Sequence, residues 1–403
     1  MRAIFVNRFF HPDQSATSQL ASDLAFALAS RGMEVVAITS RQRCGDARAA
    51  LAREELVGGV RVLRVRTPTF GRAGLAGRAL DYAGFYLGSA WRLLRIARRG
   101  DVVVAMTDPP LLGAALLVVV RLRGARLVNW LQDLFPEIAE QLGVRAIRAA
   151  ARPLRWLRNA ALRGAVVNVA IGETMARFVE LQSGRSLEVI PNWALEEGGG
   201  DALSQVAHPL RAAWGLGDAF IVGYSGNMGR AHELQSLIEA AALLQDQPQI
   251  AFVLVGDGAQ RLALEQAVSD RDLANVHFRP YQARDGLRLS LTLPDIHFVS
   301  LDARLEGLAV PSKFVGVIAL GKPVLWMGAA DGELGTLVRA SAAGVVVPAG
   351  DVTALAHAIA ELASNAGRVE ELAVNASALW QRRFRRVDAL DHWHRLLAGI
   401  MAA

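Results

Sequence analysis

Cysteine is nearly absent from the 403 residues: Cys44 stands alone, with no intramolecular partner for a disulfide and no companions for a multi-cysteine metal site. A reducing compartment, the cytoplasm by default, is therefore expected. Lysine is almost as scarce, with Lys313 and Lys322 the only two among 44 basic residues. Charged residues make up 20% against 52% hydrophobic, which excludes a disordered or collagen-like chain. Long apolar runs are missing too. The most hydrophobic stretch, 102–120, is interrupted by Asp108 and Pro109-Pro110 and stops before Arg121, so no spanning helix is expected there. At the N-terminus Arg8, His11 and Asp13 break the apolar run that a secretory signal needs, and the segment reads as a first strand. No short-period repeat or low-complexity tract appears.

What is present alternates. Short β-branched runs at 3–7, 35–39, 60–65, 102–106, 127–131 and 166–171 read as strands, with helical spacing at 15–30, 80–97 and 150–162 between them. A polar, glycine-rich stretch from Glu196 to Asp201 suits a linker. The alternation then restarts, with strands at 221–225, 251–255, 276–278, 296–300, 324–327 and 345–347. Such a pattern predicts two α/β domains with doubly wound parallel sheets, 1–195 and 196–386. The apolar spacing of 387–403 predicts a last helix that packs on one of them, with a return to the first domain left open.

Charge divides unevenly. Residues 1–200 hold 27 arginines, no lysine and 17 acidic residues, a balance of +10, which leaves 17 basic and 21 acidic residues, or −4, for the remainder. A basic half points to a polyanionic partner, a phosphorylated lipid or a membrane surface; genomic base composition can also enrich arginine. Nucleic acid is not expected, because no motif interleaves aromatic and basic residues.

Ligands of open α/β sheets sit beyond the carboxyl ends of the strands, which directs attention to the loops there. Gly226, Asn227, Met228, Gly229 and Arg230 follow the strand 221–225 and lead towards a helix near His232. Glycines let a backbone approach a phosphate, and a helix start offers it unpaired N–H groups; a plain strand-to-helix turn has the same spacing. Gly256-Asp257-Gly258 follows the next strand and reads mainly as a turn. Farther on come Glu306-Gly307-Leu308-Ala309-Val310-Pro311-Ser312-Lys313 and Gly321-Lys322-Pro323. Both lysines fall in this short segment, as though a compact ammonium were needed where guanidinium does not fit. Ser312 and Lys313 open an apolar helical run and can meet an anion; Lys322 reads as part of a helix stop. Glu306, in a loop, can accept hydrogen bonds from sugar hydroxyls.

In their order and spacing these motifs resemble the GT-B fold retaining glycosyltransferases of family 4, in the branch that builds exopolysaccharide and O-antigen units, similar to colanic acid and N-acetylfucosamine transferases. The stretches from Phe10 to Thr17 and from Trp130 to Glu137, and Ile190-Pro191-Asn192, fit the same branch. The resemblance implies two Rossmann-like domains facing across a cleft and a metal-independent transfer with no cofactor, the nucleoside diphosphate sugar being the substrate. It places the donor diphosphate at residues 226–230 with Ser312 and Lys313, the sugar near Glu306, and Asp133 on the sugar or acceptor. Ser15 and Thr17 fall on the acceptor side. The implied acceptor is a polyprenyl-diphosphate-linked saccharide at the cytoplasmic face of the inner membrane, with the protein held there peripherally. The chain departs from the family where a second glutamate is usual, carrying Phe314 and Gly316 instead, and it has no clear match to a histidine of the first domain. Those departures keep a noncatalytic nucleotide-sugar-binding partner as the alternative.

Overall fold

The computed structural model describes residues 2–44, 46, 49–70, 74–194, 208–282 and 284–403. The linker expected at 196–201 lies outside the described residues. The chain forms two compact units: Met1–Leu195 with Gly307–Val310 and Arg386–Ala403, and Glu196–Glu306 with Pro311–Arg385.

In the first unit the strands are β1 Ala3–Val6, β2 Val35–Ser40, β3 Glu54–Val57, β4 Val60–Val65, β5 Val102–Ala105, β6 Arg126–Trp130, β7 Val167–Ala170 and β8 Glu188–Val189. They form one sheet in the order β3-β4-β2-β1-β5-β6-β7-β8, parallel except for the antiparallel pair β3–β4. Helices cover both faces, so β1, β2 and β5 are buried along their whole length and read as unbroken apolar runs. The two edge strands, β3 and β8, are the exceptions. The β3 sequence Glu-Glu-Leu-Val alternates exposed with half-buried residues, as an edge strand can, and no apolar run announces it.

The closing helix Arg386–Ala402 belongs to this unit. Asp23 fixes its start, accepting from Arg386 Nε and Nη2 and from Trp193 Nε1, each at 2.7 Å. Farther along, Trp393 packs on Trp130 with ring centroids 4.8 Å apart, and Trp130 stacks on Trp193 at 6.0 Å. Trp130 and Trp393 are both fully buried, and truncating such a residue typically costs about 3–5 kcal/mol. This packing joins sequence separated by more than 200 residues.

The second unit contains β9 Phe220–Ser225, β10 Ile250–Val255, β11 Val276–Arg279, β12 Ile296–Ser300, β13 Val324–Gly328 and β14 Gly344–Pro348. Their order, β11-β10-β9-β12-β13-β14, is all parallel and reverses direction between β9 and β12. That is the doubly wound order whose crevice lies between the two central strands. The core is built from Phe252, Leu254 and Phe298 of the strands against Leu237, Ile238 and Ile359 of the flanking helices.

Candidate functional site

At the switch point of the second unit, the loops after β9 and β12 are tied together. His232 Nδ1–H donates to the Ser300 carbonyl at 2.7 Å, Glu233 N–H to Ser300 Oγ at 3.1 Å, and Asp302 N–H to the Ala231 carbonyl at 2.8 Å. The helix begins at Leu234, two residues later than the sequence suggests, because these bonds hold His232 and Glu233 in the loop.

Residues 226–229 rest on the loop that follows β10. Gly226 N–H donates to the Val255 carbonyl at 2.9 Å, Met228 N–H to the Asp257 carbonyl at 2.8 Å, and Gln260 N–H to the Met228 carbonyl at 3.0 Å. The approach leaves no room for side chains: a Cβ on Gly256 would stand 2.0 Å from the Gly226 carbonyl oxygen, and one on Gly258 2.7 Å from Met228 N. Both glycines also adopt positive φ, 139° and 153°. The Gly-Asp-Gly turn is thus the floor that shapes the glycine loop. Met228 is buried as its anchor, while Asn227 and Arg230 are exposed.

Lys313, the first residue of the helix Lys313–Ala319, reaches this loop from the other side of the switch point. Its ammonium donates to Tyr224 Oη and, at 3.3 Å, to His232 Nε2, and it lies 3.9 Å from the Tyr224 ring centroid. Tyr224 Oη in turn donates to the Asn227 carbonyl at 2.6 Å. The Ser300 carbonyl, which can only accept, fixes the His232 tautomer with the proton on Nδ1, so Nε2 is the acceptor for lysine. Burial pushes the Lys313 pKa down to about 7. His232 is pushed down to about 4, by burial first and by the Lys313 charge second, and burial raises the Tyr224 phenol. Both ammonium partners are therefore neutral near pH 7, and among the described residues Lys313 makes no ion pair. A half-buried cation without a counter-charge, beside a backbone loop held open by glycines, is an arrangement that an anion completes.

Ser312 precedes Lys313 as an exposed N-cap residue whose side chain makes no cap bond. Glu306 is engaged elsewhere. Its Oε1 accepts the Glu333 N–H at 2.8 Å, and a Cβ on Gly332 would come within 2.3 Å of its Oε2. The carboxylate thus sits on the N-terminus of the helix Glu333–Ser341, where a negative charge is favoured. Lys322 is half-buried, with Asp295 and Arg211 as its charged neighbours.

The remaining expected residues lie in the first unit. Asp133 follows β6; it pairs in an antiparallel bridge with Ala309, and its N–H meets Thr107 Oγ1 at 3.5 Å. Asp133 is exposed, and desolvation by the protein packed near its carboxyl raises it to about 6. Beside it a cavity of about 40 Å³, lined partly by Thr107, Asn129 and Arg158, has room for a water or two and not for a sugar ring. Ser15 precedes the helix Ala16–Ser30, and its hydroxyl and N–H both donate to Asp13 Oδ1, at 2.5 and 2.8 Å. Thr17 is half-buried on the first turn of that helix. Three polar residues went unassigned in the sequence reading: Tyr224, His232 and Asp13, which also accepts from Ser18 Oγ at 2.9 Å. Tyr224 alternates with buried Val222 like an ordinary core residue, whereas Asp13-Gln14-Ser15 carries a legible Asx-turn signal. Among the described residues no three His, Cys, Asp or Glu side chains gather where a metal could be held.

Two family models match the chain: "Glycosyl transferase 4-like domain" over residues 16–193 and "Glycosyl transferases group 1" over residues 219–365. A protein of Escherichia coli named as a colanic acid biosynthesis glycosyl transferase, WcaI, is 26% identical over 341 residues, 81% of this chain and 83% of its own length. WbjE of Pseudomonas aeruginosa, named as a glycosyltransferase, is 28% identical over 274 residues, 67% of this chain and 68% of its own. Among solved structures, sucrose-phosphate synthase from Thermosynechococcus elongatus matches with a TM-score of 0.79 at 18% identity, covering all of both chains. Anabaena HepE in complex with UDP-glucose matches with a TM-score of 0.73 at 18% identity, over 99% of this chain and 100% of its own. These likenesses show the fold, the pair of Rossmann-like domains called GT-B. With a glycosyltransferase 4-like model on its first unit and a group 1 model on its second, the chain belongs to the glycosyltransferase family that joins those two domains.

Proposed function

We propose that the chain moves a hexose-type sugar, with retention at the anomeric carbon and without a metal, from a nucleoside diphosphate sugar to a polyprenyl-diphosphate-linked saccharide during assembly of a bacterial surface polysaccharide. The observation that carries this reading is the convergence of the uncompensated Lys313 ammonium with the glycine loop at the switch point of the second sheet. The diphosphate takes the place beside Gly226, Asn227, Met228 and Gly229, where Lys313, Arg230 and backbone N–H groups neutralise the charge that develops as it leaves. UDP-glucose in HepE supports the donor class, and the name of WcaI supports the setting.

Glu306 holds the helix Glu333–Ser341 in place and orients the sugar. In the first unit Asp133, with its carboxyl near 6, can hold or release a proton around neutrality and orients the acceptor hydroxyl. Ser15 and Thr17 contribute acceptor-side polar groups, Ser15 as an acceptor because its proton is given to Asp13. The protein works at the cytoplasmic face of the inner membrane, held there peripherally. Mass-detected transfer in membranes supplied with several nucleotide-sugars tests the proposal. New saccharide mass is expected with one donor; donor binding with neither transfer nor hydrolysis establishes the noncatalytic partner instead.

A further inference from the structure

The helix Ala16–Ser30 of the first unit starts without the cap its sequence offers. Ser15 holds the N-cap position, yet its side chain makes no cap bond. The hydroxyl turns back instead to Asp13 Oδ1 at 2.5 Å, joined there by its own N–H at 2.8 Å and by Ser18 Oγ at 2.9 Å. Asp13 Oδ2 accepts the N–H of Cys44 from the loop after β2. Asp13 is 6% exposed, and every one of these donors is neutral. A buried carboxylate met only by hydrogen bonds is costly once they are lost, so it fixes the groups that donate to it. The loop is held from two other sides as well: His11 N–H donates to Ser22 Oγ at 2.8 Å, and Arg64 Nη2 to the His11 carbonyl at 2.7 Å.

The loop follows β1, which lies between β2 and β5 with both parallel to it, so it belongs to the switch point of the first sheet, where open α/β sheets bind ligands. Ser15 and Thr17 are half-buried there. A serine hydroxyl has one proton and two lone pairs. With the proton given to Asp13, Ser15 Oγ can only accept, and its ligand must carry an O–H or N–H. A phosphate is disfavoured on two counts. Its ionised oxygens have no proton to give, and the Asp13 carboxylate offsets the positive helix start that would attract them. A sugar hydroxyl meets the requirement.

We infer that Asp13 is a positioning residue that turns the lone pairs of Ser15 Oγ towards a hydroxyl of the acceptor sugar, so that this loop reads the saccharide and not its diphosphate. The inference rests on the acceptor side proposed above and names the group that is read there. Transfer is measured on membranes supplied with nucleotide-sugars, with the amount of membrane varied to give an apparent KM for the acceptor. Ser15→Ala should raise that KM by roughly fivefold, the worth of one neutral hydrogen bond, with kcat and the UDP-induced thermal shift kept. Asp13→Ala should do the same, and Asp13→Ala/Ser15→Ala should be no worse than either single variant, because Asp13 acts through Ser15. Asp13→Asn, whose amide oxygen still accepts the hydroxyl, should stay within about twofold of wild type. A wild-type KM in Asp13→Ala overturns the inference, as does a roughly 25-fold rise in the double variant, the product of two independent roles. A lower KM in Asp13→Asn overturns it too, since loss of the carboxylate charge then favours a phosphate at the helix start. If the wild-type chain transfers sugar from no donor, the proposed function falls on its own, and the same variants are compared by melting temperature. Additive losses then overturn the hold of Asp13 on Ser15, and a double variant that melts with the less stable single one upholds it.

Discussion

If the diphosphate lies beside Lys313 as proposed, nucleotide affinity should depend on pH in a way that few other groups of the site can imitate. In the empty site the Lys313 pKa lies at about 7 because burial disfavours the charge. A bound diphosphate restores the charge and carries the pKa back towards its ordinary value of roughly 10.4. Between pH 7 and 9 the charged fraction of the empty site falls from about one half to about one hundredth, so apparent affinity should drop by roughly 50-fold, or ~2.3 kcal/mol. His232 has already lost its proton at about 4, Arg230 stays charged, and a terminal phosphate completes its ionisation near 6. Calorimetric titration of UDP in buffers of different ionisation enthalpy reads both quantities. Proton uptake should rise from about half a proton at pH 7 towards one at pH 9. Lys313→Met should remove the slope and weaken binding at pH 7 by roughly 1.5–3 kcal/mol, the range for a hydrogen bond to a charged group. Flat affinity from pH 7 to 9, or a slope that survives in Lys313→Met, would falsify this placement of the diphosphate.

Glu306→Ala should lower the urea-unfolding free energy by about 1 kcal/mol through loss of the contact with Glu333 N–H, as removing a helix cap does; unchanged stability would mean that the carboxylate is not a cap in solution. Gly258→Ala should cost at least ~1–3 kcal/mol and reduce the UDP-induced thermal shift with it, because Cβ enters the Met228 backbone at positive φ; a wild-type shift in a folded variant would separate the floor from the loop. His297, buried with Nε2 on the Leu291 carbonyl at 2.8 Å, is pushed by burial down to about 4. The unfolded chain takes up this proton first. Stability from neutral His297 is therefore complete above pH 6.5 and declines as pH falls towards 4, by up to ~3 kcal/mol, and His297→Gln should flatten that part of the pH profile.

The parallel strands were legible because burial on both faces demands apolar β-branched runs, as in Val-Val-Val-Ala of β5 and Ile-Ala-Phe-Val-Leu-Val of β10. β3 escaped because its pairing partner is β4 alone and every second side chain is exposed, which leaves no apolar run. The helix Arg145–Gly164 begins five residues before its expected start, where Arg145 and Arg148 hide the apolar period. In the site, the glycine loop and Lys313 were readable as motifs. That Tyr224 and His232 receive the lysine depends on bonds spanning 89 and 81 residues, which no local pattern encodes. The hold of Glu306 on a helix 27 residues away was hidden for the same reason.

A crystal structure of the chain with UDP tests the central claim most directly. Diphosphate oxygens are expected within hydrogen-bond distance of Lys313 Nζ and of the backbone N–H groups of Asn227, Gly229 or Arg230, since those of Gly226 and Met228 donate to the loop after β10. A diphosphate bound anywhere else, with Lys313 still donating to Tyr224 and His232 beside an empty glycine loop, contradicts it.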